Sequence, residues 1–210
     1  MSTKQQMLEQ LLTMQEIESW QQFEYKYFGP STRSIQFFGP VCKETSAPFI
    51  SQLLHLAEEE PEEPIVIWLN TEGGSLTDGL AIYDAIVNIP CPVQVVVTGL
   101  CASAGLIILS AADYRLATKS STFYYHQPVM EDNMINSIKD MDELQKYYKS
   151  CKDKMDEIIR QRIKMKKSSW NKNFEGKTSY YFFAEDALKY NLIDKIVTSN
   201  KLEFEIEEKD

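Results

Sequence analysis

The chain has 210 residues, 43% of them hydrophobic and 25% charged, which suits one α/β domain with a full core. A formal net charge of −9 argues against a nucleic-acid surface, and no apolar run approaches the roughly 20 residues that span a bilayer. Four scattered cysteines (Cys42, Cys91, Cys101, Cys151) form no C-x-x-C pair and only two histidines accompany them, so no metal site and no cofactor are expected.

Residues 1–30 read as an N-terminal arm with helical spacing at Met7, Leu11, Met14 and Ile17, broken by Gly29-Pro30. Polar residues run throughout it, without the apolar centre of a secretory signal, so the expected location is the cytoplasm, or an organelle stroma or matrix. Ser34–Phe38 is a short strand closed by Gly39-Pro40. "TSAPFISQLLHLAEEE" carries a helical apolar face, with Ser46 as its expected N-cap. "PIVIWLN" is a near-continuous apolar run of the kind found in buried parallel strands.

"LTDGLAIYDAIVNI" follows as a helix, "VQVVVTGL" as a second buried strand, and "AGLIILSAAD" as a short apolar helix. "YRLATKSSTFYYHQ" supplies further short strands. A long charged helix is expected from about Ile135 to Lys166, too long for one small domain to cover, so part of it should pack on another subunit. Its basic cluster at Lys164–Lys167 is short and reads as solvated surface. The last helix is "AEDALKYNLID", then the strand "KIVTS" and an acidic tail over residues 201–210. The alternation of strands and helices implies a layered α/β domain over residues 31–200.

Three pieces, "NTEGGSL", "CASAG" and "YYHQP", each follow a strand, where ligands collect in α/β sheets. Ser103 can act as a nucleophile only if a base takes its proton. His126 follows a strand near the serine's helix, whereas His55 sits among leucines on a distant one. An oxyanion needs convergent backbone N–H donors. Gly74 presents its amide unobstructed, and Ala104 places one at a helix start. The aromatic residues of "TFYYHQP" are expected to line the site.

From about Arg33 to Val197 the chain resembles the ClpP family of self-compartmentalised serine peptidases. The resemblance rests on "RSIQFFGPV", "ISQLLHLAEEEP", "IVIWLNTEGGSLTDGLAIYDAI", "GLCASAGLIILSAA", "HQP" and "AEDALKYNLIDKIV", in the family's order. It implies a ClpP/crotonase-like layered α/β fold with a long protruding handle helix. It also implies Ser103 as nucleophile, His126 as general base, and the amides of Gly74 and Ala104 as oxyanion hole. The implied partners are identical subunits in a heptameric ring, with two stacked rings as a further step, an AAA+ unfoldase or a ClpP paralogue, and a polypeptide substrate; neither nucleic acid nor membrane is expected.

The family's triad aspartate falls on Ser179, in the loop expected before the last helix. Asp186 is in phase with that helix and does not replace it, and nothing in the spacing favours Glu175. The glycine-rich strand that follows the histidine in the family is here "VMEDNMINSIKD", without glycine, and the family's Arg-Asp contact between rings falls on Thr178-Ser179. The expectation is therefore a slowed serine endopeptidase. The alternatives are a non-catalytic subunit of a mixed ring and, further off, a crotonase-like acyl-CoA fold that needs no serine–histidine pair.

Overall fold

The computed structural model describes residues 33–127, 138–163, 166–170, 174 and 179–197. The N-terminal arm, the stretch directly after Gln127, Glu175, Thr178 and the acidic tail lie outside the described residues. In chain order the described elements are β1 (Ser34–Phe38), α1 (Lys43–Glu59), β2 (Ile65–Thr71), α2 (Leu76–Asn88), β3 (Val93–Ala102), α3 (Ala104–Ala111), β4 (Tyr114–Thr118), β5 (Thr122–His126), α4 (Ile138–Arg162), α5 (Lys167–Trp170), β6 (Ser179–Phe183), α6 (Ala184–Lys189) and β7 (Lys195–Val197).

The sheet runs β1-β2-β3-β4-β7, all parallel, with β5 added to β3 and β6 to β5. Successive residues of a strand face opposite sides. Accordingly Ile65, Ile67, Leu69, Val93, Val95 and Val97 join residues of α1, α2 and α3 in the main core, while Val66, Val96 and Leu116 form a second cluster. The eight residues of α3 are all buried, in keeping with its mostly apolar sequence, and its one hydroxyl, on Ser110, donates to Leu106 O at 2.7 Å. This is the layered α/β architecture that the alternating pattern implies.

β3 is the element that positions the site. Its first half pairs with β2 and β4, and its last three residues, Leu100–Ala102, pair with β5. Between the halves Gly99 adopts φ 81°, a left-handed conformation that costs a glycine little. The side-chain oxygen of Asn70 accepts the Leu100 N–H at 3.0 Å, and the β2–β3 register shifts between Leu69 and Thr71. One edge of β3 thus carries two different strands in succession.

Two local expectations are corrected. Helix α1 begins at Lys43, with Cys42 rather than Ser46 as N-cap. The cause is the preceding residue: Val41 bridges to Gly74, so the extended chain ends there and turns directly into helix. The Thr45 hydroxyl accepts the Cys42 N–H at 3.2 Å, and Ser46 is buried inside the first turn. Second, the segment before α6 is a strand and not a loop: β6 pairs antiparallel with β5, and its "SYYFF" is rich in residues that suit a pleated surface.

Helix α4 divides along its length. Met155, Ile158 and Ile159 are buried near its C-terminal end, beside α3, whereas Met141 and Tyr147 remain about half exposed (46% and 52%). Its expected extent of Ile135–Lys166 is described from Ile138 to Arg162.

β7 is held to β4 by Arg115 and Asp194. The Arg115 Nε donates to Asp194 Oδ2 at 2.9 Å, its backbone N–H donates to the same oxygen at 2.8 Å, and Nη2 reaches Oδ1. The arginine side chain is only 7% exposed, so removing its partner strands a buried charge. Asp194→Ala is expected to lower stability by about 3–5 kcal/mol in urea unfolding, and Asp194→Asn by less. A loss below about 1 kcal/mol for the alanine variant would place this pair with surface ion pairs instead.

Candidate functional site

Ser103 occupies the corner between β3 and α3 with φ 53° and ψ −118°. Among the described residues only Asn191 is another non-glycine residue with positive φ. Such a conformation costs a residue bearing a Cβ of the order of 1–3 kcal/mol and persists only where its surroundings impose it. Here the Ser103 N–H donates to Tyr124 O at 2.9 Å, and Ser103 O accepts the Leu106 N–H at 3.0 Å. The corner is fixed from both sides.

Glycines let the neighbouring backbone close onto it. A Cβ on Gly73 would lie 2.6 Å from Ala102 O, 2.7 Å from Ser103 Cβ and 3.0 Å from Ala104 N. Gly73 also has φ 87°, and its N–H is held by the Thr71 hydroxyl at 3.0 Å. Behind the corner, a Cβ on Gly79 would meet the Ala104 methyl at 3.1 Å, so α2 and α3 pack backbone against small side chain. No larger residue fits at Gly73 without moving Ser103.

The N–H groups of Gly74, next to Gly73, and of Ala104, next to Ser103, have no hydrogen-bond partner among the described residues. The Val41–Gly74 bridge uses the Gly73 carbonyl (Val41 N–H, 2.8 Å) and the Ser75 N–H (to Val41 O, 2.7 Å), which leaves the Gly74 N–H unused. Gly74 has φ 144°, and a Cβ there would strike the Val41 carbonyl. Ala104 is the first residue of α3, where an amide has no intrahelical acceptor. Cys101, two residues before the serine, is wholly buried, and burial pushes its thiol far above the ordinary range, so it stays neutral and packs.

His126 ends β5. Its neighbour Tyr124 is the register partner of Ala102, which sets the histidine two residues beyond the point where β3 turns into the serine corner. Across the hairpin-like pair, His126 lies directly opposite Ser179. The imidazole Nδ1 lies 2.7 Å from the Gln127 carbonyl oxygen. Tyr124 stacks on the imidazole at 5.1 Å and 18°, and Tyr181 stacks on Tyr124 at 3.9 Å. Among the described residues the Ser103 hydroxyl, the Ser179 hydroxyl and the imidazole Nε2 make no hydrogen bond.

The strand period corrects one expectation about the aromatics. Only Tyr124 shares a face with His126; Phe123 and Tyr125 alternate to the other face and are fully buried. Tyr125 instead anchors the strand. Its hydroxyl donates to Asp156 Oδ1 on α4 at 2.6 Å, and Asp156 pairs with Lys152 at 2.6 Å. Asp156 carries only a weak signal in the sequence, an i,i+4 pair with Lys152 in the buried half of a charged helix. His55 lies on α1 beside Glu59, with its side chain 69% exposed.

The strain at Ser103 has a measurable consequence. Ser103→Gly and Ser103→Ala both remove the hydroxyl, but only glycine relieves the positive φ. The glycine variant is expected to be more stable than the alanine variant by about 0.5–1 kcal/mol in chemical unfolding, after its own unfolded-state entropy is counted. An alanine variant equal to or more stable than the glycine one would show that the corner is unstrained.

The sequence model of one protein family, described as Clp protease, matches residues 18–200. The match spans β1 to β7 and includes Gly74, Ala104, the strained serine and the histidine strand. The chain therefore belongs to the Clp protease family.

Proposed function

We propose that this chain is an active serine endopeptidase subunit that cuts unfolded polypeptides inside an oligomeric chamber. Membership of the Clp protease family supports peptidase chemistry in general. The observation that carries the reading is the strained Ser103 packed against Gly73, with the adjoining Gly74 and Ala104 amides unpartnered among the described residues. An extended substrate adds as a strand beside Gly73-Gly74, backbone bonds giving affinity with little sequence preference. His126 Nε2 takes the Ser103 proton as Oγ bonds to the scissile carbonyl carbon, and the carbonyl π pair moves onto oxygen. The two amides stabilise that oxyanion. The proton then passes from His126 to the leaving amine as the C–N bond breaks, and water hydrolyses the acyl-enzyme. The open serine–histidine geometry fits a resting site, because catalytic hydrogen bonds often tighten only when substrate binds.

Ser179, the register partner of His126, stands at the position where the family's triad acid falls. It brings no charge to stabilise the imidazolium, so the reaction is slow. Ser179→Asp is expected to accelerate acylation; an unchanged rate would remove Ser179 from the acid's place. The direct test of the peptidase is a fluorophosphonate probe. Ser103 of the wild type should label and Ser103→Ala should not. Absence of wild-type labelling, alone or with a paralogous subunit, supports the second reading, a non-catalytic wall subunit of a mixed ring, which the missing acid favours.

The ring is proposed to be a heptamer, alone or in stacked pairs, fed by an AAA+ unfoldase in the cytoplasm or an organelle stroma or matrix. The half-exposed Met141 and Tyr147 on the outer part of α4 support burial against another subunit. Native mass measurement is expected to find a seven-subunit species or its double; monomers alone at micromolar concentration would refute the ring.

A further inference from the structure

We infer that the backbone carbonyl of Gln127, and not the side chain of Ser179, sets the tautomer of His126. The inference rests on the assignment of His126 as the base. In a serine peptidase the acid does two jobs: it holds the imidazole in the productive tautomer and it stabilises the imidazolium. The geometry around His126 separates them.

A carbonyl oxygen only accepts hydrogen bonds. At 2.7 Å from Gln127 O, the Nδ1 of a neutral His126 therefore carries the hydrogen, and Nε2 is left as the only acceptor on the ring. That is the tautomer a general base toward serine needs. Ser179 lies opposite in register, yet it is exposed and its hydroxyl makes no bond to the ring among the described residues. Tyr124, stacked at 18° and backed in turn by Tyr181, fixes the ring plane and covers one face. Gln127 O and Tyr124 are thus positioning groups, acting through His126 rather than on substrate.

The test needs no turnover. In uniformly 15N-labelled full-length protein, long-range proton–nitrogen correlation spectra report which ring nitrogen carries hydrogen. The chain has two histidines, and His55→Gln assigns the signals. A free neutral histidine prefers hydrogen on Nε2, and His55, with Nε2 3.5 Å from Glu59, serves as the internal reference. His126 should appear as the Nδ1–H form in the wild type and equally in Ser179→Ala. Tyr124→Leu should slow fluorophosphonate labelling and Tyr124→Phe restore it. An Nε2–H form in the wild type, or a switch to it in Ser179→Ala, would overturn the inference. A silent probe with the Nδ1–H signal intact would instead remove the peptidase and leave the tautomer assignment standing.

Discussion

Everything at the candidate site depends on one close approach: the turn after β2 lying directly on the backbone of the β3–α3 corner. Gly73 has no room for a Cβ against Ala102 O and Ser103 Cβ. That contact holds Ser103 at positive φ, brings the Gly73-Gly74 turn onto the Ala104 amide, and aligns the start of α3. The force behind it is ordinary core packing. α3 is fully buried and α2 closes on it through Gly79, so burial of apolar surface in both helices offsets the local strain. A strained residue with a hydroxyl, where glycine would relax, is hard to explain by packing alone.

The sheet then brings the histidine. A uniform parallel strand would carry one neighbour along each edge. β3 carries β4 and β5 on one edge because Gly99 and the Asn70 carboxamide break the ladder midway. The second neighbour ends in His126, and Tyr125 ties that strand through Asp156 to the base of α4. The same helix presents its outer, half-exposed apolar residues to the surroundings, so the surface proposed for assembly and the anchor of the histidine strand share one rigid element.

Much of this was legible in the sequence. β1, β2 and α3 announce themselves by alternation or by unbroken apolar runs, and these signals come from burial on one face or both. The Gly-Gly turn, the small residues around Ser103 and the histidine after an aromatic strand were visible as a set. What escaped depends on tertiary partners. Ser46 has the chemistry of a cap, but the Val41–Gly74 bridge ends the extended chain earlier and gives that role to Cys42. β6 looked like a loop because its pairing partner is remote in sequence. Phe123 and Tyr125 belong to the same aromatic run as Tyr124, but the strand period turns them inward. The acceptor at Nδ1 is a backbone carbonyl, which every residue carries and no sequence motif marks.

The most direct measurement of the central claim is a crystal structure of the protein after reaction with a peptidyl boronate. The expected result is a tetrahedral adduct on Ser103 Oγ, with one boronate oxygen within hydrogen-bond distance of both the Gly74 and Ala104 N–H groups and another approached by His126 Nε2. An adduct oxygen turned away from those two amides, or boron bound elsewhere while Ser103 stays free, would contradict it.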